Sequence, residues 1–307
     1  CEGPQTIVLD ASCDLVVPDL TDGASGSDNC GSLSWSQSPT ASTALASGEG
    51  TTHTVTVTAS DGNGNTSTCT VVLTGDDATP PTPDCEDGQT IILTSACILT
   101  VPDLTDAATA MDNCSSSFTW SQSPIAGTGL TSGEGTTHTV TITVSDGNGN
   151  TATCTTVLTG DDVTPPTPVC EAPQTIALDA ECDLLVPDLT DGAVALDNCS
   201  TSFTWSQSPA AGSELASGEG TTHTVTVTVS DGNGNSATCT TVLTGDDATS
   251  PSISCEPGQT VILSALCLLS VPDVLDGSVG SDNCRSLTWS QSPTLGTLLS
   301  SGEGATH

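Results

Sequence analysis

An all-β fold built from tandem copies of one small two-sheet module is predicted by this 307-residue sequence. Three observations predict it. One sequence block recurs at regular intervals, apolar and polar residues alternate along several short segments, and each complete copy carries four cysteines at matching positions. No segment has the three-to-four-residue apolar spacing of a helix.

The internal repeat sets the domain organisation. The opening CEGPQTIVLD at Cys1 returns as CEDGQTIILT at Cys85, CEAPQTIALD at Cys170 and CEPGQTVILS at Cys255, in steps of 84, 85 and 85 residues. This length suits a small β domain. We therefore divide the chain into repeat 1 (1–84), repeat 2 (85–169), repeat 3 (170–254) and a shortened repeat 4 (255–307). Repeat 4 lacks its last third, so we expect the sequence to be part of a longer chain.

Each complete repeat contains one long predicted hairpin. Residues 53–60 read HTVTVTAS, with valines on one face and threonines on the other, which is the period of a half-buried strand. The turn DGNGN follows at Asp61, and TSTCTVVLT follows as the returning strand. Shorter strands are predicted at 5–9, 14–17 and 32–36. Six or seven short strands in about 85 residues indicate an immunoglobulin-like β-sandwich.

Proline-rich segments join the repeats. The first two read GDDATPPTPD from Gly75 and GDDVTPPTPV from Gly160. Proline favours an extended polyproline II conformation with limited bending. The sequence therefore predicts sandwich modules arranged as beads on a semi-rigid string.

Charge and composition exclude several classes of function. Lysine and arginine together number 1 against 37 acidic residues, a net charge of -36. Nucleic acid is excluded as a partner because nothing in the chain can neutralise phosphate, and direct membrane insertion of this segment is not expected. Aromatic residues make up 2%, so each core must be small.

No catalytic motif is visible around the single histidine of each repeat, and we expect no enzyme activity. These histidines are His53, His138, His223 and His307.

The 15 cysteines indicate an oxidising, extracellular compartment. Four occur in each complete repeat and three in repeat 4, so the odd total follows from the shortened copy. Successive cysteines of repeat 1 are separated by 12, 17 and 39 residues, with no Cys-x-x-Cys pair. Disulfides are therefore favoured over a zinc site.

The sequence resembles the hyalin repeat (HYR) module of extracellular and adhesion proteins. The likeness is carried by DNC at Asp28, TVTVTASDGNGNTSTC from Thr54 and the CE opening at Cys1, and it extends over all four repeats. A departure is Glu2, where the family often has proline. The resemblance implies an immunoglobulin-like sandwich with a binding or structural role. It also implies these disulfides: Cys1–Cys69, Cys13–Cys30, Cys85–Cys154, Cys97–Cys114, Cys170–Cys239, Cys182–Cys199 and Cys267–Cys284. Four cysteines permit three pairings, and the sequence alone does not choose among them.

One tryptophan per repeat, Trp35, Trp120, Trp205 and Trp289, lies in the motif WSQSP. Sandwiches of this type commonly pack a tryptophan beside a disulfide, so we interpret these four as core residues. An aromatic platform for sugar is the alternative.

Acidic turns offer candidate calcium ligands, although no cofactor is required by the fold. Oxygen-bearing side chains alternate in DGNGN as they do at the start of a calcium loop, and paired aspartates lie at each border between repeats. The same DGNGN residues suit a hairpin turn that needs no metal. Both interpretations stay open for Asp61, Asn63, Asn65, Asp76, Asp77, Asp161, Asp162, Asp246 and Asp247.

We expect a structural protein of the cell surface or extracellular matrix, such as a filament or stalk, whose stapled modules give mechanical strength. Near identity of the repeats favours this hypothesis, because a recognition site usually lies on one specialised domain. The alternative is a calcium-dependent cell adhesion protein that binds glycan or protein through its loops. The expected partners are copies of the same chain, with O-linked glycan on the threonine- and serine-rich faces.

Overall fold

A computed structural model describes residues 1–300 and 302–306. The structure is all-β, with no helix among the described residues, and it divides into two compact units, 1–162 and 163–307. The described residues therefore contain no helix long and apolar enough to cross a bilayer. The tandem-sandwich fold class predicted from the sequence is confirmed. His307 lies outside the described residues.

Residues 1–81 contain six strands. They are β1 (Gln5–Val8), β2 (Asp14–Val16), β3 (Ser34–Ser38), β4 (Ala44–Ala46), β5 (Thr52–Ser60) and β6 (Thr66–Asp76). The long hairpin β5–β6 forms where the valine–threonine alternation predicts it, and Gly62 and Gly64 of its turn take φ angles of 78° and 101°. Glycine reaches such angles without steric cost.

The hairpin organises the larger sheet of repeat 1. Four strands lie in the order β1-β6-β5-β3, with β1 parallel to β6, while β2 and β4 form a separate antiparallel pair. Leu15, Val55, Val57 and Leu73 are almost completely buried in the resulting core. Trp35 packs against this cluster, which supports its interpretation as a core residue.

Repeats 2 and 3 reproduce this plan with one additional strand pair each. Repeat 2 adds β8 (Gln89–Ile92), β9 (Ile98–Thr100), β10 (Thr109–Met111), β11 (Thr119–Ser123), β12 (Gly129–Thr131), β13 (Thr137–Ser145) and β14 (Thr151–Asp161), all of which follow β7 (Thr82–Asp84). Repeat 3 contains β16 (Gln174–Ala177), β17 (Asp183–Leu185), β18 (Val194–Leu196), β19 (Thr204–Ser208), β20 (Glu214–Ala216), β21 (Thr222–Ser230) and β22 (Ser236–Asp246), preceded by β15 (Thr167–Val169).

The structural borders fall a few residues before the sequence borders. Strand β7 pairs with β10 of repeat 2, and β15 pairs with β18 of repeat 3. The prolines of the linker are compatible with these strands because each pair has only two members, so every strand in it is an edge. Between the first two repeats, only residues 77–81 lie outside strands.

Among the described residues of repeat 4, two-stranded sheets are the only ones that form. β23 (Ser252–Ser254) pairs with β25 (Val279–Ser281), and β24 (Leu268–Ser270) pairs with β26 (Leu298–Ser300). The chain has no counterpart of the long hairpin here, and the segments equivalent to β1 and β3 are not strands. A strand needs a partner for its backbone N–H and C=O groups.

The disulfides within repeats follow one rule. Cys1 bonds to Cys69, Cys85 to Cys154 and Cys170 to Cys239, each with a Cα–Cα distance of 5.7–6.0 Å. These are the pairs that the HYR resemblance implied. Each bond joins the start of a repeat to the last strand of its hairpin.

The second predicted pairing in each repeat is wrong. Cys13 bonds to Cys114 of the next repeat, and Cys182 bonds to Cys284 of the next repeat. The predicted pairs Cys13–Cys30, Cys97–Cys114, Cys182–Cys199 and Cys267–Cys284 therefore do not form. The physical reason is placement, because Cys13 and Cys182 lie where their repeat contacts the next repeat, whereas Cys114 and Cys284 lie where their repeat contacts the preceding one. In the described part of the chain, Cys30, Cys255 and Cys267 are exposed and unbonded.

Candidate metal centre between repeats 1 and 2

Three aspartates meet where repeat 1 contacts repeat 2. One carboxylate oxygen from each of Asp77, Asp112 and Asp146 lies within 4.8 Å of the others. Asp77 is 3% exposed and Asp146 is 6% exposed, so the cluster is largely removed from solvent. It gathers residues from three separate motifs: the GDD border, the DNC turn and the DGNGN turn.

Asp77 is positioned by the end of strand β6. A Cβ at Gly75 would lie 2.8 Å from the carbonyl oxygen of Gly48, so only glycine permits the SGEG loop to approach this strand. That loop brings the Glu49 carboxylate to the backbone N–H of Asp77, which donates to it over 2.7 Å. The hydrogen bond fixes the direction in which the chain leaves repeat 1.

Asp146 begins the DGNGN turn of repeat 2. Its carboxylate accepts hydrogen bonds from the backbone N–H groups of Asn148 and Asn150 and from the Asn150 side chain, at 2.7–3.1 Å. Burial raises the pKa of Asp146, but the hydrogen bonds from Asn150 and Asn148 together outweigh it, and the pKa is lowered from its ordinary value. Asp146 is therefore ionised at neutral pH.

Asp112 supplies an oxygen that the protein itself does not satisfy. Its Oδ1 accepts from the backbone N–H groups of Cys114 and Ser115 at 2.8 and 2.9 Å. Its Oδ2 is buried and has no hydrogen-bond partner among the described residues. An unsatisfied buried carboxylate oxygen is costly unless a ligand is bound there.

The two repeats are held together beside this cluster. The disulfide Cys13–Cys114 spans the border with a Cα–Cα distance of 4.9 Å, and the adjacent Asn113 side chain donates to the backbone oxygen of Asp10 over 2.9 Å. Asn148 and Asn150 donate their side-chain amides to the Asp77 carboxylate and backbone oxygen at 2.9 and 2.8 Å. Repeat 2 is therefore joined to repeat 1 by a disulfide and holds Asp77 by hydrogen bonds.

The charge and spacing of the cluster fit a calcium ion. Two carboxylates about 4.8 Å apart repel each other by about 3 kcal/mol at an effective dielectric constant near 20. The chain contains no lysine, and its one arginine, Arg285, lies in repeat 4. Calcium binds oxygen ligands at 2.3–2.6 Å, so two of its ligands lie at most about 5 Å apart. The orphaned Asp112 oxygen and the mutual spacing of the three carboxylates meet this requirement.

The other predicted calcium ligands lie outside the cluster of Asp77, Asp112 and Asp146. Asp61, Asn63 and Asn65 form the exposed DGNGN turn of repeat 1, where Asn63 and Asn65 donate only to Asp61. Asp76, Asp161 and Asp246 end the long strands and are not part of the three-aspartate cluster. Asp162 and Asp247 receive the same support as Asp77, since their N–H groups donate to Glu134 and Glu219 over 2.7 and 2.6 Å.

Three residues of the site, Asp112, Asp146 and Glu49, are absent from the sequence-based list of calcium ligands. DNC indicates the family resemblance, DGNGN supplies candidate ligands only in its first copy, and SGEG resembles an ordinary polar turn. The signal that identifies all three is recurrence, since DNC and SGEG return in register in every repeat and DGNGN returns in every complete repeat. Joining the border aspartate to the DGNGN turn of the following repeat required the three-dimensional structure.

The histidines form no catalytic constellation in the described residues. Nε2 of His138 lies 3.3 Å from Oγ of Ser132, and His223 stands in the same relation to Ser217. Both rings are half-buried against the SGEG loop. Their environment is that of packed residues beside a loop.

Comparisons with known proteins assign no family. No family model matches the chain, and no curated protein matches it. Among solved structures, it is similar to a protocadherin gammaB7 EC3-6 cis-dimer at 14% identity, covering 93% of this chain and 83% of that chain with a TM-score of 0.41. Mouse cadherin-23 EC22-24 has 14% identity, 81% and 97% coverage and a TM-score of 0.36. Drosophila N-cadherin EC1-3 has 12% identity, 80% and 98% coverage and a TM-score of 0.25. At these scores, the likeness assigns neither ligand nor activity to this chain.

Proposed function

We propose that this chain is a structural segment of an extracellular array, in which disulfides within and between repeats resist extension and calcium stiffens the border between repeats. The observation that carries the proposal is the Cys13–Cys114 bond, which joins two successive repeats beside a buried acidic cluster. A covalent bond between successive repeats transmits tension across their border, which a load-bearing chain requires. Catalysis and ligand binding within one domain do not require such a bond.

The disulfides shorten the length of polypeptide that bears an applied force. Cys1–Cys69 closes a loop of 68 residues, and Cys85–Cys154 closes a loop of 69. When the chain is stretched, only the 16 residues between Cys69 and Cys85 can extend between one closed loop and the next. At about 3.4 Å per residue, each closed loop hides roughly 230 Å of chain from the applied force.

The Cys13–Cys114 bond gives the border a second covalent route. If the backbone is cut between residues 77 and 81, repeat 1 stays attached to repeat 2 through this bond alone. Disulfides persist in oxidising surroundings, which supports an extracellular or cell-surface location. A chain with a single basic residue also offers little to trypsin-like proteases. The HYR resemblance is consistent with this non-enzymatic role.

Calcium at Asp77, Asp112 and Asp146 would supply the positive charge that the chain lacks. These three residues come from both repeats, so an ion shared by them resists bending at the border. The cluster lies inside the border rather than at an exposed loop tip. This position favours a stiffening role for calcium over the adhesive alternative.

Single-molecule stretching tests the mechanical part of the proposal. The oxidised chain should unfold in steps far shorter than 230 Å, and reduction of the disulfides should lengthen the step of each complete repeat by about that amount. Equal step lengths before and after reduction would contradict the proposal. The chain with all cysteines replaced by serine provides the control for full extension.

Calcium titration by calorimetry tests the metal centre. We expect Asp112→Asn to remove one binding event, because it deletes a charge from the cluster while preserving the shape of the turn. Asp28→Asn is the matched control, since Asp28 holds the same turn in repeat 1 through Cys30 but belongs to no three-aspartate cluster. Equal loss in both variants, or no calcium binding by the parent chain, would refute the metal centre and leave the disulfide argument intact.

A further inference from the structure

The DNC tripeptide of repeat 2 takes part in three different contacts at the border with repeat 1. Asp112 contributes its carboxylate to the three-aspartate cluster, and the Asn113 side chain donates to the backbone oxygen of Asp10 over 2.9 Å. Cys114 is bonded to Cys13 with a Cα–Cα distance of 4.9 Å. Because the three residues of the tripeptide are consecutive, none of these contacts can be displaced far without disturbing the other two.

A hydrogen bond also links the carboxylate of this tripeptide to the bonded cysteine. Oδ1 of Asp112 accepts the backbone N–H of Cys114 over 2.8 Å. Oδ2 of the same carboxylate is the buried oxygen that has no hydrogen-bond partner among the described residues. A shift of Cys114 therefore moves the carboxylate that supplies the unsatisfied oxygen of the cluster.

The loop of repeat 1 that carries Cys13 is held in place by its own hydrogen bonds. The Asp10 carboxylate accepts the N–H groups of Ser12 and Asp14 at 2.8 and 3.0 Å. The Asp10 backbone oxygen accepts the N–H of Cys13 over 2.9 Å, and it also accepts the Asn113 amide. Cys13 thus belongs to a formed loop, so whether its sulfur meets the partner sulfur depends on how closely repeat 2 approaches repeat 1.

The acidic cluster opposes this approach when no cation is bound. Asp77 comes from repeat 1, whereas Asp112 and Asp146 come from repeat 2, so closing the border brings one carboxylate towards two others. The side-chain amides of Asn148 and Asn150 donate to Asp77, but they are uncharged and leave the repulsion between the carboxylates in place. A bound divalent cation attracts all three carboxylates and draws the two repeats together.

We infer that calcium binding at the acidic cluster and closure of the Cys13–Cys114 disulfide promote each other. Calcium holds repeat 2 against repeat 1 in the arrangement in which the two sulfurs meet. The closed disulfide keeps Asp77 beside the other two aspartates and so tightens calcium binding. Thermodynamic linkage requires that each event favours the other by the same factor, and we expect about tenfold.

This inference rests on the calcium site proposed above and adds a regulation of that site. The affinity of the cluster for calcium depends on the redox state of one cysteine pair, and the stability of that disulfide depends on calcium. For the array, the coupling means that the border is joined covalently most readily where calcium is present.

Closure of the disulfide is a thiol–disulfide exchange with an external disulfide, such as oxidised glutathione, as the oxidant. The sulfur of one protein thiol attacks oxidised glutathione, forms a mixed disulfide and releases one reduced glutathione. The sulfur of the second protein thiol attacks the protein sulfur of the mixed disulfide and displaces the second glutathione. The two protein thiols lose two electrons and two protons, and glutathione disulfide takes up both. Calcium acts only on the distance between the two protein sulfurs.

The border between repeats 3 and 4 provides an internal control within the same chain. Cys182 is bonded to Cys284 with a Cα–Cα distance of 5.0 Å, and Asp282 accepts the N–H of Cys284 over 3.0 Å. Asn283 donates to the backbone oxygen of Asp179 over 2.9 Å. The disulfide and its supporting turn therefore match those of the first border, but the residues described at this second border form no three-aspartate cluster.

A redox titration of the unsubstituted chain tests the effect of calcium on the disulfide. The full chain is equilibrated in glutathione buffers of graded potential, with calcium or with a calcium chelator. Differential alkylation and mass spectrometry then measure the oxidised fraction of each cysteine pair. Calcium should lower the midpoint reduction potential of Cys13–Cys114 by about 30 mV, which corresponds to a tenfold factor for a two-electron couple. The potential of Cys182–Cys284 should stay unchanged, and Asp112→Asn should abolish the shift.

Calorimetry tests the effect of the disulfide on calcium binding. Replacing Cys13 and Cys114 by serine should weaken one calcium-binding event about tenfold, whereas replacing Cys182 and Cys284 by serine should leave the affinities unchanged. Equal affinities in the parent chain and both serine variants, no calcium-dependent shift in potential, or an equal shift for both disulfides would overturn the inference and leave the calcium site in place. Absence of calcium binding by the parent chain would overturn both.

Discussion

Repeats 3 and 4 begin with nearly the same sequence but form different amounts of structure. Residues 174–177 form strand β16, whereas their counterparts 259–262 form none. Leu178 is 7% exposed, whereas its counterpart Leu263 is only half-buried and Trp289 is 39% exposed. Trp205 of repeat 3 packs against a buried cluster that contains Leu184 and Val225. The difference between the two repeats is the long hairpin β21–β22.

This comparison shows which element organises a repeat. Strands β16 and β19 hydrogen-bond only to the hairpin, so they have no partners without it. The two-stranded sheets β17–β20 and β24–β26 pair independently of the hairpin and form in both repeats. The hairpin is therefore the template for the larger sheet and supplies one wall of the core.

The largest difference is expected for the cysteine that opens each repeat. The double substitution Cys170→Ser with Cys239→Ser should destabilise repeat 3 by about 4 kcal/mol, because a closed loop of this size restricts the unfolded chain. Cys255→Ser should leave repeat 4 unchanged, since Cys255 is unbonded and exposed. Denaturant unfolding followed by Trp205 or Trp289 in single-tryptophan variants measures both effects. Equal effects would show that the disulfide does not stabilise repeat 3.

A core leucine sharpens the same comparison. Leu184→Ala should cost repeat 3 about 3 kcal/mol, because its side chain is fully buried and its removal leaves a cavity. Leu269→Ala, at the equivalent half-buried position of repeat 4, should cost less than about 1 kcal/mol. The unfolding midpoints of the two single-tryptophan variants provide the readout. A larger loss in repeat 4 would contradict the role assigned to the hairpin.

A glutamine that clamps two chain segments should have an intermediate effect. The Gln207 side chain accepts from Leu189 and donates to the backbone oxygens of Pro187 and Pro209, at 2.8–3.2 Å. Gln207→Ala should cost about 1–3 kcal/mol, because it leaves partly buried backbone groups unpaired. Gln291→Ala in the more open repeat 4 should cost less, and thermal unfolding compares the two. If the losses are equal, solvent exposure does not decide the strength of the clamp.

The smallest difference concerns acid sensitivity. The pKa of Asp188 is lowered by hydrogen bonds from the hydroxyl and backbone N–H of Thr190. A lowered pKa means that this contribution to stability is present above the ordinary pKa near 3.9 and is lost as the pH falls through the folded-state value. Thr190→Val should raise the pKa of Asp188 in a carboxyl NMR titration. Leu275→Val is the control in repeat 4, where Leu275 donates only its backbone N–H to Asp273.

Local alternation was sufficient to predict the strands that build the core. The valine and threonine pattern placed both strands of the hairpin, and the WSQSP motif placed the core tryptophan. Strands β4 and β7 are absent from the prediction because their sequences, ALA and TPD, do not combine apolar–polar alternation with β-branched apolar residues. Their backbone partners come from distant parts of the chain.

The cysteine pairing and the acidic cluster could not be obtained from one repeat considered alone. Four cysteines per repeat suggested two internal disulfides, but in identical repeats Cys30 and Cys114 are indistinguishable by sequence. Only the packing of repeat 2 on repeat 1 shows that Cys13 reaches Cys114. The same packing unites Asp77 with Asp146, which the sequence places in separate motifs.

Cleavage of the linker at a single engineered lysine tests whether the bond between repeats joins them. Ala78→Lys introduces the only lysine of the chain, at an exposed position between Cys69 and Cys85. After digestion with a lysine-specific protease, the oxidised protein should run as one species in denaturing electrophoresis and separate into residues 1–78 and 79–307 only on reduction. With Cys13→Ser added, the two fragments should separate without reductant. Separation of the oxidised parent into two fragments would show that repeats 1 and 2 are not covalently bridged.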